Sequence, residues 1–175
     1  RIEMKNAIKL FVLVAFTIAA MGVSAQTAVK LGHIESQRLI QAMPEWTEAQ
    51  KKFQAQQDEV EKELTNLQEQ FQTKMNDYAQ NSKTYSDVIR TSKEQELQEL
   101  RTRIQRFQET AMNELDKAQQ SLMQPITEKA MNAIKEVAKE NGYTYIFDLS
   151  AGPILYTSES SQDILPLVKK KLGIQ

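Results

Sequence analysis

One histidine, no cysteine and 23 acidic side chains are the chemical inventory of this 175-residue chain. Without cysteine there is no disulfide, iron–sulfur cluster, zinc-thiolate site or thiol nucleophile to build. His33 has no second ligand near it in sequence, so it reads as a packed or hydrogen-bonded histidine rather than a metal ligand or general base. Glu59, Glu61 and Glu63 alternate around a helix without converging on one face, which is the pattern of solvated surface. Asp148, inside a β-like run, is expected to bond locally in its turn or across an assembly. A catalytic role would demand a cleft and a partner that the sequence does not supply. With 5 Gly and 4 Pro there is no glycine-rich phosphate cradle either. No nucleophile–base pair is found, and we expect no enzyme, no cofactor and no metal. What remains is adhesion: Met75, Met112, Met123 and Met131 are soft, adaptable apolar groups spread along otherwise polar sequence.

The elements that carry these residues begin with a segment expected to be removed. Met4 is followed by Lys5 and Lys9, an apolar run from Leu10 to Met21, and Gly22-Val23-Ser24-Ala25, the layout of a secretory signal cut before Gln26. Arg1 to Glu3 lie ahead of the expected start, as an upstream start or an extraneous remnant. The apolar run falls short of the roughly 20 residues a spanning helix needs. Cleavage after residue 25 leaves 19 basic and 22 acidic residues, a net charge of −3. Such a chain has no global basic field for nucleic acid. Export without cysteine leaves packing or assembly to hold it together and, in a bacterium, points to the periplasm or the medium.

From Glu45 to about Asn141 the chain is almost entirely Gln, Glu, Lys, Ala, Leu and Met, with no Gly and one Pro. That is far beyond an ordinary globular helix. Trp46, Ala49, Phe53, Val60, Leu64, Leu67, Phe71, Met75 and Tyr78 form one narrow apolar seam. Leu97, Leu100, Ile104, Phe107, Ala111, Leu115, Ala118 and Leu122 form another. Between them, Asn81 to Ser86 is rich in turn formers, so the spacing predicts an antiparallel helical hairpin with its tip near 81–86. Facing pairs such as Trp46 with Leu122 and Phe71 with Leu97 keep a constant sum of 168, consistent with that fold-back. Two helices meeting on one seam leave most of their surface wet, so the arms need an anchored base.

The ends of the chain are expected to supply it. Ala28–Ile34 reads as a strand with Val29, Leu31 and His33 on one face. Ser36 is placed to cap a short helix through Ala42, and Pro44 opens the next helix at a first-turn position. Asn141-Gly142 stops the returning helix. Tyr143–Leu149 and Ile154–Thr157 then read as two strands joined by a turn at Ser150–Pro153, and Asp163 is placed to cap a last helix. The fold class is therefore α+β: a long helical hairpin on a small body with exposed sheet edges, which pairing with other copies would cover.

These features together resemble the Skp (OmpH) family of periplasmic chaperones. The residues that carry the resemblance are Val29 to Ala42, Met43-Pro44-Glu45-Trp46 opening the hairpin, and the ending Tyr145-Ile146-Phe147-Asp148, Ile154-Leu155-Tyr156 and Asp163-Ile164. The resemblance implies a homotrimer, with residues 26–43 and 123–175 forming a β body and residues 44–122 a tentacle. Val29, Leu31, Tyr145, Phe147, Ile154 and Tyr156 are the candidate body contacts. It implies ATP-independent holding of unfolded outer-membrane β-barrel proteins in a cavity between tentacles. Near the tip, Met75, Tyr78, Tyr85, Val88 and Ile89 are candidate client contacts, although Tyr78 and Ile89 also fit as the last pair of the seam. Arg90, Lys93, Arg101, Arg103 and Arg106 could meet acidic clients, lipopolysaccharide or a membrane surface, or form a solvated face with nearby Glu partners. The well-known members are strongly basic, and this mature chain is not. A second reading has the same arms serving as a structural coiled-coil adaptor or spacer of the cell envelope.

Overall fold

The structure, a computed structural model, describes residues 29–174. The expected signal segment, residues 1–25, lies outside the described residues, as do Gln26 to Ala28 and Gln175. The described chain is mostly helical, and its elements run β1 (Leu31–Ile34), α1 (Ser36–Ala42), α2 (Pro44–Asn81), α3 (Asp87–Glu140), β2 (Tyr145–Asp148), β3 (Gln162–Asp163) and α4 (Leu165–Lys171).

The two long helices have 38 and 54 residues, about 57 and 81 Å at 1.5 Å per residue. Pro44 stands in the first turn of α2, where its missing N–H costs nothing. Ser86 caps α3 by accepting the Ile89 N–H at 3.4 Å. At the other end α3 closes with a Schellman motif. Gly142 takes a left-handed φ of 68°. Its N–H and that of Tyr143 go to the carbonyls of Lys139 and Ala138. The helix continues through Pro125 rather than breaking there. Contacts between α2 and α3 pair Glu45 with Lys129 at one end and Lys74 with Glu96 and Tyr78 with Glu94 at the other. Residue numbers thus fall along α3 as they rise along α2, and Trp46 and Leu122 border the same small hollow.

The sheet is entirely parallel, in the order β2-β1-β3, with Leu31 opposite Tyr145, His33 opposite Phe147, and His33 opposite Asp163 on the other side. Two expectations from sequence are overturned here. Ile154–Thr157 forms no strand within this chain, and no two-strand unit turns at Ser150–Pro153. Leu155 and Tyr156 are instead 95% and 81% exposed. The third strand is Gln162–Asp163, held beside β1 by the Ile164 N–H on the His33 carbonyl and by His33 Nδ1 to Ser161 Oγ at 2.8 Å. β1 is also shorter than expected, starting at Leu31.

One face of this sheet is covered. Ile34, Leu39, Met43, Ala49, Ile126, Ala130, Ile134, Val137, Ile164 and Val168 form a contiguous core in which α1, α4 and the last third of α3 pack on β1 and β2. Gly32 is required on that face: an added Cβ would come within 2.9 Å of the Tyr143 ring and 3.0 Å of Ile146 Cδ1. The opposite face, carrying Leu31, Tyr145 and Phe147, is left at 48, 61 and 46% exposure. Parallel sheets ordinarily have both faces covered.

Candidate functional site

At the base, Asp148 ends β2 beside the start of α1. Its Oδ1 accepts the N–H groups of Ser36 at 3.1 Å and Ser150 at 2.9 Å, and its Oδ2 accepts the Ser36 hydroxyl. Ser36 therefore does not cap α1 as expected. It is the first helical residue, and its hydroxyl is committed to Asp148 because the parallel pairing of β1 and β2 brings the two strand ends together. Partial burial pulls the Asp148 carboxyl up, but the hydrogen bonds from Ser36 and Ser150 outweigh it and hold the group below the usual carboxylate value. This is a latch between β2 and α1, and it agrees with the local role expected for Asp148. Asp163, one residue ahead of the cap position of α4, accepts the Leu165 N–H at 2.8 Å. His33 faces Ser161, and among the described residues no group of three or more His, Asp or Glu is arranged to hold a metal ion.

The tip is an ordered polar knot with apolar groups around it. The Tyr78 hydroxyl donates to Glu94 and the Tyr85 hydroxyl to Asp77 at 3.1 Å, with the two rings 6.4 Å apart. The bond to Glu94 pushes the Tyr78 phenol up, and desolvation followed by the bond to Asp77 does the same for Tyr85. Of the tip residues singled out from sequence, the structure brings Tyr78 and Tyr85 together and leaves both half-buried. It places Met75, Val88 and Ile89 outward, at 42, 80 and 47% exposure. Ile89 is thus not closed into the seam. Lys74 bonds Glu96 at 2.9 Å and lowers its carboxyl, while Lys93 lies 3.7 Å from the same group.

Between base and tip the seam residues are half-buried or buried as their spacing requires. From residue 50 to residue 122, however, the buried ones are Leu67, Leu100 and Ala111. The flank of the helix pair is correspondingly open. A hollow of about 1170 Å³ is floored by Val60, Phe107 and Leu115, and a second of about 620 Å³ adjoins it at Glu63 and Phe107 and includes Leu67. Sequence reasoning treated Glu59 and Glu63 as plain surface. The structure puts both on the border of the larger hollow opposite Glu114, a juxtaposition that depends on the second helix and so has no signal in the α2 sequence.

The described chain is thus a small α+β base bearing one long, incompletely sealed helix pair. The model of a family described as Outer membrane protein (OmpH-like) matches residues 30–172, and the chain belongs to that family. Its members are periplasmic chaperones of outer-membrane proteins. No curated protein matches the chain. Among the described residues no helix is long and apolar enough to cross a membrane.

Proposed function

We propose that the chain is an ATP-independent periplasmic holdase. In this reading three copies join through their sheets, and each contributes its α2–α3 pair as an antiparallel hairpin, a tentacle bordering a shared cavity for unfolded outer-membrane β-barrels. The observation that carries this is the distribution of burial. The core is confined to the base, while the helix pair keeps its apolar residues in a seam that is only half closed along its length. Such arms are adaptable surfaces, and many weak contacts hold a non-native chain while permitting release without an energy source. Trimerisation is supported by the uncovered face of a parallel sheet, with Val29, Leu31, Tyr145 and Phe147 exposed, and by the exposed segment that includes Ile154 and Tyr156. Met75, Tyr78, Tyr85, Val88 and Ile89 serve as tip contacts for the client.

The test is the light-scattering mass of the protein lacking residues 1–25, alone and mixed with a urea-unfolded outer-membrane barrel diluted into nucleotide-free buffer. A three-chain particle that takes up the barrel and keeps it soluble is the expected result. A particle that leaves several unrelated barrels to aggregate would replace this reading with that of an envelope adaptor.

A further inference from the structure

The turn that ends α3 sets an asparagine directly ahead of a glycine at the surface. Asn141 and Gly142 are both exposed, and a Cβ on Gly142 would meet no atom within 4 Å. This dipeptide is the one most prone to intramolecular attack on a side-chain amide, because glycine puts no side chain in front of its own nitrogen. In the folded chain both reacting groups are occupied. The Asn141 Nδ2 donates to the Val137 carbonyl at 2.8 Å, and the Gly142 N–H donates to the Lys139 carbonyl at 3.3 Å. Lys30, just ahead of β1, reaches over the same turn, with its Nζ 2.8 Å from the Asn141 carbonyl oxygen and 4.2 Å from the centre of the Tyr143 ring.

We infer that Asn141 is a site of spontaneous deamidation, gated by fraying of the last turn of α3, and that its products loosen the joint between α3 and the sheet. In the frayed turn the Gly142 nitrogen attacks Asn141 Cγ. The new N–Cγ bond replaces the bond from Cγ to Nδ2, and the side-chain nitrogen leaves as ammonia with the proton lost from the Gly142 nitrogen. Water then opens the succinimide ring. Cleavage at Cγ gives aspartate, and cleavage at the main-chain carbonyl gives isoaspartate, in which the backbone runs through Cβ. No group is oxidised or reduced.

Either product is a poorer end for the helix. A carboxylate has no proton to give to Val137, and it sets two acceptors face to face. It also adds negative charge at the C-terminal end of α3, where the helix dipole disfavours it. Isoaspartate further inserts a methylene ahead of Gly142, which draws the N–H groups of Gly142 and Tyr143 off the carbonyls of Lys139 and Ala138. Tyr143 is the joint itself. Its ring lies against Gly32 of β1, its hydroxyl donates to Gln162 Oε1 at 2.6 Å, and the next N–H, that of Thr144, goes to the Lys30 carbonyl at 2.8 Å.

The experiment follows residue 141 in the protein lacking residues 1–25, held in warm, mildly alkaline buffer with and without urea. Aspartyl and isoaspartyl peptides are resolved by chromatography and mass spectrometry. Conversion should proceed in both conditions, about tenfold more slowly in the folded protein, which corresponds to a local opening free energy of about 1.4 kcal/mol. Lys30→Ala uncovers the turn and should speed the folded reaction about two- to threefold while leaving the rate in urea unchanged. Asn141→Gln, whose longer side chain does not cyclise readily, should abolish the modification. Asn141→Asp should lower the thermal midpoint and lose hydrogen-exchange protection first at Gly142 and Tyr143. Equal rates in folded and unfolded protein, conversion in urea alone, or a Lys30→Ala protein that converts no faster than the native one would overturn the inference. So would an aspartate variant as stable and as well protected as the native protein. Each readout concerns the base, so the inference stands or falls apart from the holdase reading.

Discussion

Ile34, Leu39, Met43, Ile164 and Val168, all in the base, are no more than 1% exposed, whereas between residues 50 and 122 Leu67 alone reaches that level. Both regions draw on Leu, Ile, Val and Ala. The difference lies in what each helix is given to pack against. In the base, α3 meets α1, α4 and the sheet, so a wide apolar stripe is enclosed. Beyond it, α3 meets only α2, and two cylinders touching along a line cannot enclose more than a seam. Local stability therefore belongs to the base, and the helix pair is the part free to open and adapt.

Four substitutions probe that contrast. Leu39→Ala, in the closed core, should lower global stability by about 2–5 kcal/mol in a denaturant titration. A cost under about 1 kcal/mol would mean the base is not the stabilising unit. Leu67→Ala should cost about 2 kcal/mol, near the lower end of that range, because its surroundings collapse more easily. Hydrogen exchange should show the loss confined to α2 and the facing stretch of α3, and protection lost equally in β1 and α1 would erase the distinction between the regions.

Asp148→Ala should remove about 1–3 kcal/mol at neutral pH by leaving the Ser36 and Ser150 donors short of an acceptor. The sign of its pH dependence follows from the lowered folded value. The stabilisation is fully present above the unfolded carboxylate range near pH 3.9 and is lost as pH falls through the lower folded value. Titrations of the native protein and the variant should therefore converge in acid, and a gap that persists there would refute the latch. The smallest effect belongs to the tip. Tyr78→Phe removes an exposed bond to Glu94 and should leave the denaturation midpoint essentially where it is, while shifting the Tyr85 ring signals in an NMR spectrum.

Much of this was legible in the sequence, for identifiable reasons. The seams at Leu64–Leu67 and Leu100–Ile104, the Pro44 start, the turn after Asn81 and the Gly142 stop are all local signals, and each sits where its spacing placed it. The sheet was not legible in the same way. Ile154–Thr157 has strand composition but no strand partner among the described residues, and Gln162–Asp163 has none of that composition yet pairs with β1. Its pairing is imposed from 128 residues away through the contact of His33 with Ser161. Strand propensity reports fit to a half-buried surface, and which surface exists is decided by the parallel crossover. The acidic border of the flank was missed for a related reason, since Glu59 and Glu114 meet only once the second helix lies beside the first.

Pro125 gives the molecule a mechanical property. It stands one residue before Ile126, where α3 passes from the seam into the closed core, and a proline at that point cannot donate to the Ser121 carbonyl. The helix is thus a lever with its weakest rung at the fulcrum. The stretch from Asp87 to Ile126 is about 58 Å long, so a tilt of about 1° at that rung carries the tip about 1 Å. Pro125→Ala restores the missing donor, and hydrogen exchange of the amides around residue 125 should slow as the lever stiffens.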